Sequence, residues 1–134
     1  MAKRLKTTKS LNAMHESPFP EAVVARQLAA YNARDIDEWL ATYAVSAVQC
    51  ELAGKVLATG HAEIRARALP RFSEPNLHAL LLKRAVMGKV VIDHEIVTRT
   101  FPEGTGTVEL VCIYVVENGL IQTASFSFGH PIMR

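Results

Sequence analysis

The sequence predicts an α+β domain in which about three N-terminal helices pack on one face of a mainly antiparallel sheet. Apolar residues recur at helical spacing in the first part of the chain, and from about residue 76 they alternate as in strands. Short turn sequences separate those later segments, and helices followed by strands are typical of the α+β layout. With 134 residues, of which 49% are hydrophobic, the chain forms one domain, predicted over residues 17–134.

Two helices are predicted to form an N-terminal hairpin. The first lies in SPFPEAVVARQLAAYNARD, where Ser17 and two prolines precede the apolar positions. The second, in DIDEWLATYA, begins on an Asp35 cap. Its apolar stripe consists of Ile36, Trp39, Leu40 and Tyr43.

Two short strands, AVQCEL and KVLAT, lead to a third helix in HAEIRARALPRF. Pro70 is expected to end or kink this helix. The pattern places three arginines on its outer side, where a solvated face is the favoured interpretation and anion binding is the alternative. These arginines are Arg65, Arg67 and Arg71.

The remaining strands form a predicted antiparallel meander. Its strands are NLHALLLKRAV, KVVIDHEIVTRTF, TGTVELVCIYVVE and LIQTASFSF. They are separated by Met87-Gly88, by PEGTG and by Asn118-Gly119, the last being a strong hairpin signal.

Several strings resemble the nuclear transport factor 2-like superfamily, in its SnoaL-like and ketosteroid-isomerase-like branch. AAYNARDIDEWLATYA matches the helical hairpin, ATGHAEIRAR the third helix and VENGLI the last hairpin, and the resemblance covers about residues 19–129. It implies a cone-shaped fold in which the helices close over a strongly curved sheet and enclose a mostly apolar cavity. The resemblance also implies a homodimer.

The resemblance assigns isomerase residues to positions of this chain. The general-base carboxylate falls on Glu51, the tyrosine that donates to the substrate oxygen falls on Gln27, and the second oxyanion acid falls on or beside Ile113. Both acidic donors are therefore missing, and such donors usually supply the largest catalytic contribution. The sequence thus disfavours a true steroid isomerase.

The segment VVIDHEIV raises a second candidate site. Strand alternation puts Asp93 and Glu95 on one face and His94 on the other. A two-residue turn at Gly88 and Lys89 would place Arg84 opposite Asp93 and Leu82 opposite Glu95. A salt-linked outer or subunit-facing surface is the favoured interpretation, because a cross-strand pair needs no ligand to explain it; a polar patch on the cavity wall is the alternative.

The last hairpin is predicted to line the cavity with one face. A two-residue Asn118-Gly119 turn groups six residues on it, and the resemblance points this face inward: Val111, Ile113, Val115, Ala124, Phe126 and Phe128. Trp39, Tyr43 and Gln27 are further candidate ligand contacts. The opposite face suits the interface of a homodimer and carries Cys112, Tyr114, Thr123, Ser125 and Ser127.

We therefore expect a small-molecule-binding protein with an apolar ligand. One hypothesis is an isomerase, cyclase or hydrolase that uses Glu51 as general base and His94 or Asp93 as a second acid/base group. The other is a non-catalytic ligand-binding or dimeric interaction domain. A Glu51 carboxylate with a raised pKa and a donor opposite it across the cavity would favour catalysis, whereas an isolated, solvent-exposed Glu51 would favour binding alone.

Composition excludes several other classes of function. The formal charge of +2 is concentrated in a basic segment, predicted as a flexible arm over residues 1–16, so no nucleic-acid surface is expected. No apolar run approaches the roughly 20 residues that span a bilayer, and we expect a cytoplasmic protein. Cys50 and Cys112 are expected to be buried thiols. No metal site or nucleotide loop is present in the sequence, and no cofactor is expected.

Overall fold

The computed structural model describes residues 18–134, so the predicted arm at residues 1–16 lies outside the described part. Three helices and seven strands follow one another in these residues. The helices are α1 (Pro20–Ala33), α2 (Ile36–Ala41) and α3 (Gly60–Phe72), of which α3 follows the second strand. The strands are β1 (Tyr43–Glu51), β2 (Val56–Thr59), β3 (His78–Met87), β4 (Val90–Phe101), β5 (Gly104–Glu117), β6 (Leu120–Phe128) and β7 (Ile132–Met133).

One sheet contains all seven strands. Its order is β2-β1-β6-β5-β4-β3, with β7 paired to β5. β1 runs parallel to β6, and every other pairing is antiparallel. The predicted fold class, three helices on a curved and mainly antiparallel sheet, is confirmed. The sequence did not predict β7 or the parallel contact between β1 and β6.

The helix boundaries follow from local chemistry. α1 has Pro20 in its first turn and ends at Ala33; the next residue, Arg34, caps the helix in the left-handed region with a φ of 58°. The carboxylate of Asp35 then accepts a hydrogen bond from the backbone N–H of Glu38, so it caps α2 as predicted. Tyr43, predicted on the α2 stripe, instead begins β1.

The core lies between the helices and the inner face of the sheet. Side chains from α1, α3, β4 and β6 meet there with no exposed surface: Val23, Val24, Ile64, Val91 and Ile121. Pro70 does not end α3, which continues to Phe72. The helices and the sheet therefore form two layers that share this core.

An extra residue in β6 decides which face of β5 looks inward. Val116 pairs with Ile121 as a two-residue turn requires, but Val115 pairs with Thr123, which leaves Gln122 as a bulge. A shift of one residue exchanges the two faces of a strand. The inner face of β5 therefore carries Cys112, Tyr114 and Val116, and the predicted inward positions of Val111, Ile113 and Val115 are wrong.

A second irregularity affects β3. Leu81 pairs with Glu95 and Lys83 pairs with His94, so Leu82 is the extra residue and its predicted position opposite Glu95 is wrong. Arg84 pairs with Asp93, which confirms that prediction. The bulge in β3 therefore leaves the pairing of Asp93 and His94 unchanged and shifts the pairing of β4 from Glu95 onward.

Candidate functional site

A cavity lies between the helices and the inner face of the sheet. The space, including its open mouth, is about 500 Å³. The helices contribute Gln27, Leu28, Tyr31, Trp39, Arg67 and Arg71 to its wall. The sheet contributes Tyr43, Gln49, Glu95, Val97, Leu110, Cys112, Tyr114, Phe126 and Phe128.

Glu95 brings a carboxyl group into this wall. The residue is 4% exposed, and none of the hydrogen bonds found among residues 18–134 involves its carboxylate. Burial and the nearby charge of Asp93 raise the pKa of Glu95 to about 7, although Arg84 acts in the opposite direction. Glu95 can therefore give or take a proton near neutral pH.

Asp93 lies two residues before Glu95 on the same inner face of β4 and has no exposed surface. The Arg84 guanidinium donates Nε to Oδ1 at 2.6 Å and Nη2 to Oδ2 at 2.8 Å. This pair does not lie on an outer or subunit-facing surface, so the interpretation favoured from the sequence is wrong. Asp93 is not part of the described cavity wall, but its negative charge raises the pKa of Glu95, which is.

A chain of side chains crosses the wall formed by α3, β1 and β6. The Arg67 guanidinium donates from Nη1 to Gln49 Oε1 at 3.1 Å, and Gln49 Nε2 donates to the Tyr43 hydroxyl at 3.4 Å. Arg67 also stacks over Phe126, with Cζ 5.6 Å from the ring centroid. Burial raises the pKa of Tyr43, so its hydroxyl stays neutral and can donate a hydrogen bond.

Tyr31 supplies a second neutral hydroxyl to the cavity, because burial raises its pKa to about 12. The Arg71 guanidinium lies beside this hydroxyl and lowers the same pKa, but burial has the larger effect. The cavity therefore combines one titratable carboxyl with neutral hydroxyl donors on other parts of its wall.

Two buried polar atoms of the wall have no partner among residues 18–134. Neither Gln27 Oε1 nor Trp39 Nε1 forms a hydrogen bond within residues 18–134, and each residue is 4% exposed. Buried polar atoms are normally paired, so such exceptions call for an explanation. Because both residues line the cavity, a ligand with one donor and one acceptor would satisfy them.

Three predicted catalytic positions do not reach the described cavity wall. Glu51 shares the inner face with Gln49 but lies at the end of β1, where the chain turns beside Gly54. His94 lies on the outer face of β4, where its Nε2 contacts the Glu109 carboxylate. Asp93, as described, is held by its ion pair.

The predicted ligand contacts are partly brought together. Gln27, Trp39, Tyr43, Phe126 and Phe128 line the cavity, and Ala124 is buried on the same face of β6. Val111, Ile113 and Val115 lie on the outer face because of the β6 bulge. The predicted interface residues Cys112 and Tyr114 instead form part of the cavity wall.

Four residues of the cavity wall were not among the predicted site residues: Gln49, Glu95, Arg67 and Arg71. Arg67 and Arg71 were predicted to face solvent, but their i,i+4 spacing interleaves with that of Ile64 and Ala68, which are buried. That spacing was the available signal. Among residues 18–134 no group of three or more His, Cys, Asp or Glu side chains could hold a metal ion. In the same residues no helix is long and apolar enough to cross a bilayer.

Comparison with known proteins supports the fold and identifies the family. The family model described as a SnoaL-like domain matches residues 24–124. No curated protein matches the chain.

Among solved structures, an uncharacterised cystatin-fold protein from Novosphingobium aromaticivorans is 24% identical to this chain, with a TM-score of 0.72. The match covers 78% of this chain and 94% of that protein. An NTF2-like protein of unknown function from Burkholderia pseudomallei is 20% identical, with a TM-score of 0.71. The match covers 82% of this chain and 90% of that protein. Rv0760c from Mycobacterium tuberculosis, solved in complex with estradiol-17beta-hemisuccinate, is 18% identical, with a TM-score of 0.71 and coverages of 84% and 95%.

The structures share the cone-shaped arrangement of helices over a curved sheet, and the family model spans most of the residues that build the cavity. The chain belongs to the SnoaL-like domain family, and it shares its fold with NTF2-like proteins.

Proposed function

We propose that the cavity binds a small, mostly apolar molecule and that Glu95 moves a proton on it. The observation that carries this proposal is the position of the Glu95 carboxyl group. It is buried in the wall of a cavity that six aromatic residues also line, and it has no hydrogen-bond partner in the described residues. A structural carboxylate at such a position would normally be paired. A carboxyl group left unpaired beside open space is available to a ligand.

The reaction class that fits is proton transfer at a carbon next to a carbonyl group. The Glu95 carboxylate would remove the proton, and the electron pair of the C–H bond would move into the enolate. Neutral donors such as the Tyr43 hydroxyl and Trp39 Nε1–H would stabilise the enolate oxygen. In a β,γ-unsaturated carbonyl compound the electron pair extends to the γ-carbon, and return of the proton from Glu95 to that carbon would complete an isomerisation and regenerate the base.

A pKa of about 7 suits this role. At that value, both protonation states of Glu95 are populated near neutral pH, so the same group can act as base and then as acid. The cause of the raised pKa is built into the fold, because the Asp93 carboxylate lies on the same strand and is held in place by Arg84.

A ring system as large as a steroid is compatible with this fold, since the Mycobacterium tuberculosis protein was solved with estradiol-17beta-hemisuccinate. Isomerisation of a 5-ene-3-keto steroid is nevertheless not the expected reaction. The carboxylate that the family resemblance assigns as base, Glu51, lies outside the cavity wall, and Gln27 replaces the acidic tyrosine. The proposed base therefore acts from a different strand.

The test is exchange of the α-protons of 2-tetralone, a bicyclic ketone, for deuterium in D₂O, followed by proton NMR. We expect the wild-type protein to accelerate exchange over buffer, E95Q to lose the acceleration and E51Q, the matched control, to retain it. Equal rates for the wild type and E95Q would contradict the role of Glu95.

Non-catalytic ligand binding is the second candidate function. Gln27 Oε1 and Trp39 Nε1 favour it, because they have no partner within the described part of the chain and a bound ligand would satisfy them without any reaction. Trp39 is the single tryptophan of the sequence, so its fluorescence reports binding directly. Quenching by 2-tetralone without accelerated exchange would favour this function.

A further inference from the structure

Two arginines of α3 form one side of the cavity. Arg67 and Arg71 lie one helical turn apart, and both line the main cavity and a smaller adjoining space bounded by Trp39 and Phe72. Arg65 on the same helix points elsewhere and forms an exposed ion pair with Asp37 at 2.7 Å. α3 thus directs two of its guanidinium groups inward.

The charges at this side of the cavity do not balance. Among the ion pairs of residues 18–134, none involves Arg67, whose hydrogen-bond acceptor is the neutral amide of Gln49. Arg71 and Arg99 share one carboxylate, that of Glu74, at 3.6 Å and 2.8 Å. Two guanidinium groups therefore share one carboxylate, and Arg67 forms an ion pair with none within the described residues.

Burial and repulsion make this arrangement unfavourable for Arg67. Burial, and then the charge of Arg71, lower the pKa of Arg67. None of the ion pairs of residues 18–134 joins Glu95 to Arg67, so the cavity carboxyl is not a salt-bridge partner of Arg67. A partly buried cation without a counter-ion is costly, and an anion bound beside it would remove that cost.

We propose that Arg67 and Arg71 form an anion subsite, and that the ligand of the cavity is an apolar carboxylic acid. This inference rests on the proposed function and adds the substrate class. A guanidinium group offers five N–H donors in a planar fork that matches a carboxylate, and Arg67 uses one of them on Gln49. The aromatic groups of Trp39 and Phe126 would contact the apolar body of the acid, which extends toward Glu95.

The test compares two probes of nearly the same shape, biphenyl-4-carboxylate and the neutral biphenyl-4-carboxamide, by calorimetry at about pH 8. We expect the wild-type protein to bind the carboxylate at least about tenfold more tightly, with a preference that weakens as salt is added. R67M and R71M should lose most of this preference. R65M, on the same helix, should keep it.

E95Q separates the inference from the proposed function, because it should abolish proton exchange and retain the preference for the carboxylate. Equal affinity of the wild-type protein for the two probes would overturn the anion subsite and leave the cavity as a binding site. The same conclusion would follow if R67M and R71M, checked for folding by circular dichroism, kept the wild-type preference. Failure of both probes to bind would overturn the inference and the proposed binding function together.

Discussion

Arg84 and Asp93 face each other across β3 and β4, and two hydrogen bonds of 2.6 Å and 2.8 Å join their side chains. Asp93 has no exposed surface, and the Arg84 side chain is 13% exposed. The pair lies next to Glu95, whose pKa responds to both charges. It therefore serves both the stability of the fold and the protonation of the cavity carboxyl.

Loss of one partner of this pair should destabilise the protein strongly. R84M leaves the Asp93 carboxylate buried and unpaired, and we expect the free energy of unfolding to fall by about 3–5 kcal/mol. K89M is the control, because Lys89 and Glu117 form an exposed pair at 2.6 Å whose loss should cost less than about 1 kcal/mol. Urea denaturation measures both. Equal losses for R84M and K89M would contradict the account of the buried pair.

Glu95 should make the protein less stable as the pH rises. Its pKa changes from 4.5 in the unfolded chain to about 7 in the folded protein, so the unfolded state releases the proton first. The free energy of unfolding should therefore fall between about pH 4.5 and pH 7, by about 3 kcal/mol in total. E95Q lacks this contribution, and its stability relative to the wild type should rise over the same interval in urea denaturation. A constant difference between the two proteins would refute the raised pKa.

The global fold could be predicted because its signals are local. Pro20 and Asp35 mark helix starts, and Asn118 with Gly119 marks the last hairpin, whose φ values of 55° and 74° fit a tight turn. The face of each strand could not be predicted with the same success. One extra residue, Gln122, exchanged the inner and outer positions of β5. No residue type at this point of the sequence indicates such a bulge.

The cavity residues were predicted correctly only where their positions do not depend on the register of strand pairing. Trp39, Phe126 and Gln27 line the cavity as expected, because the helices and β6 present them directly. Glu95 was recognised as a neighbour of Asp93 but was not chosen, since the face of β4 that looks inward depends on pairings with strands on both sides. Glu51 was chosen by resemblance, which did not account for the end of β1 at that residue.

The same substitution at two cavity glutamines should have opposite effects on stability. Q27L removes a buried oxygen that has no partner in the described residues, so we expect the free energy of unfolding to rise by about 1–3 kcal/mol. Q49L breaks the contacts to Arg67 and Tyr43 and should lower it by a similar amount. Thermal or urea denaturation of the two variants measures both changes in the free energy of unfolding. A loss of stability in Q27L would show that Gln27 is already satisfied in the folded protein.

The outer face of the sheet should form a homodimer interface. It carries apolar side chains of β4 and β5, including Ile92 and Ile113, which pair with each other, and Ser125 lies on the same face. Tyr114 was predicted at the centre of this interface, but it is buried in the cavity wall. Sedimentation should give twice the chain mass of 14.7 kDa.

I92E should convert this dimer to a monomer, because it places a charge in the middle of the apolar face. V45E is the control, since Val45 is 76% exposed and lies on β1, away from Ile92. A monomeric wild-type protein at micromolar concentration, or a dimeric I92E, would rule out this interface.

The most direct test of the central claim is a pH titration of the glutamate side-chain ¹³Cδ resonances by NMR, with E95Q used for assignment. We predict that Glu95 titrates near pH 7, that D93N lowers its midpoint, and that biphenyl-4-carboxamide shifts the Glu95 resonance more than that of Glu51. A Glu95 resonance that titrates near pH 4.5, as in an unfolded chain, and does not respond to the probe would contradict the claim that Glu95 is the acid/base group of the cavity.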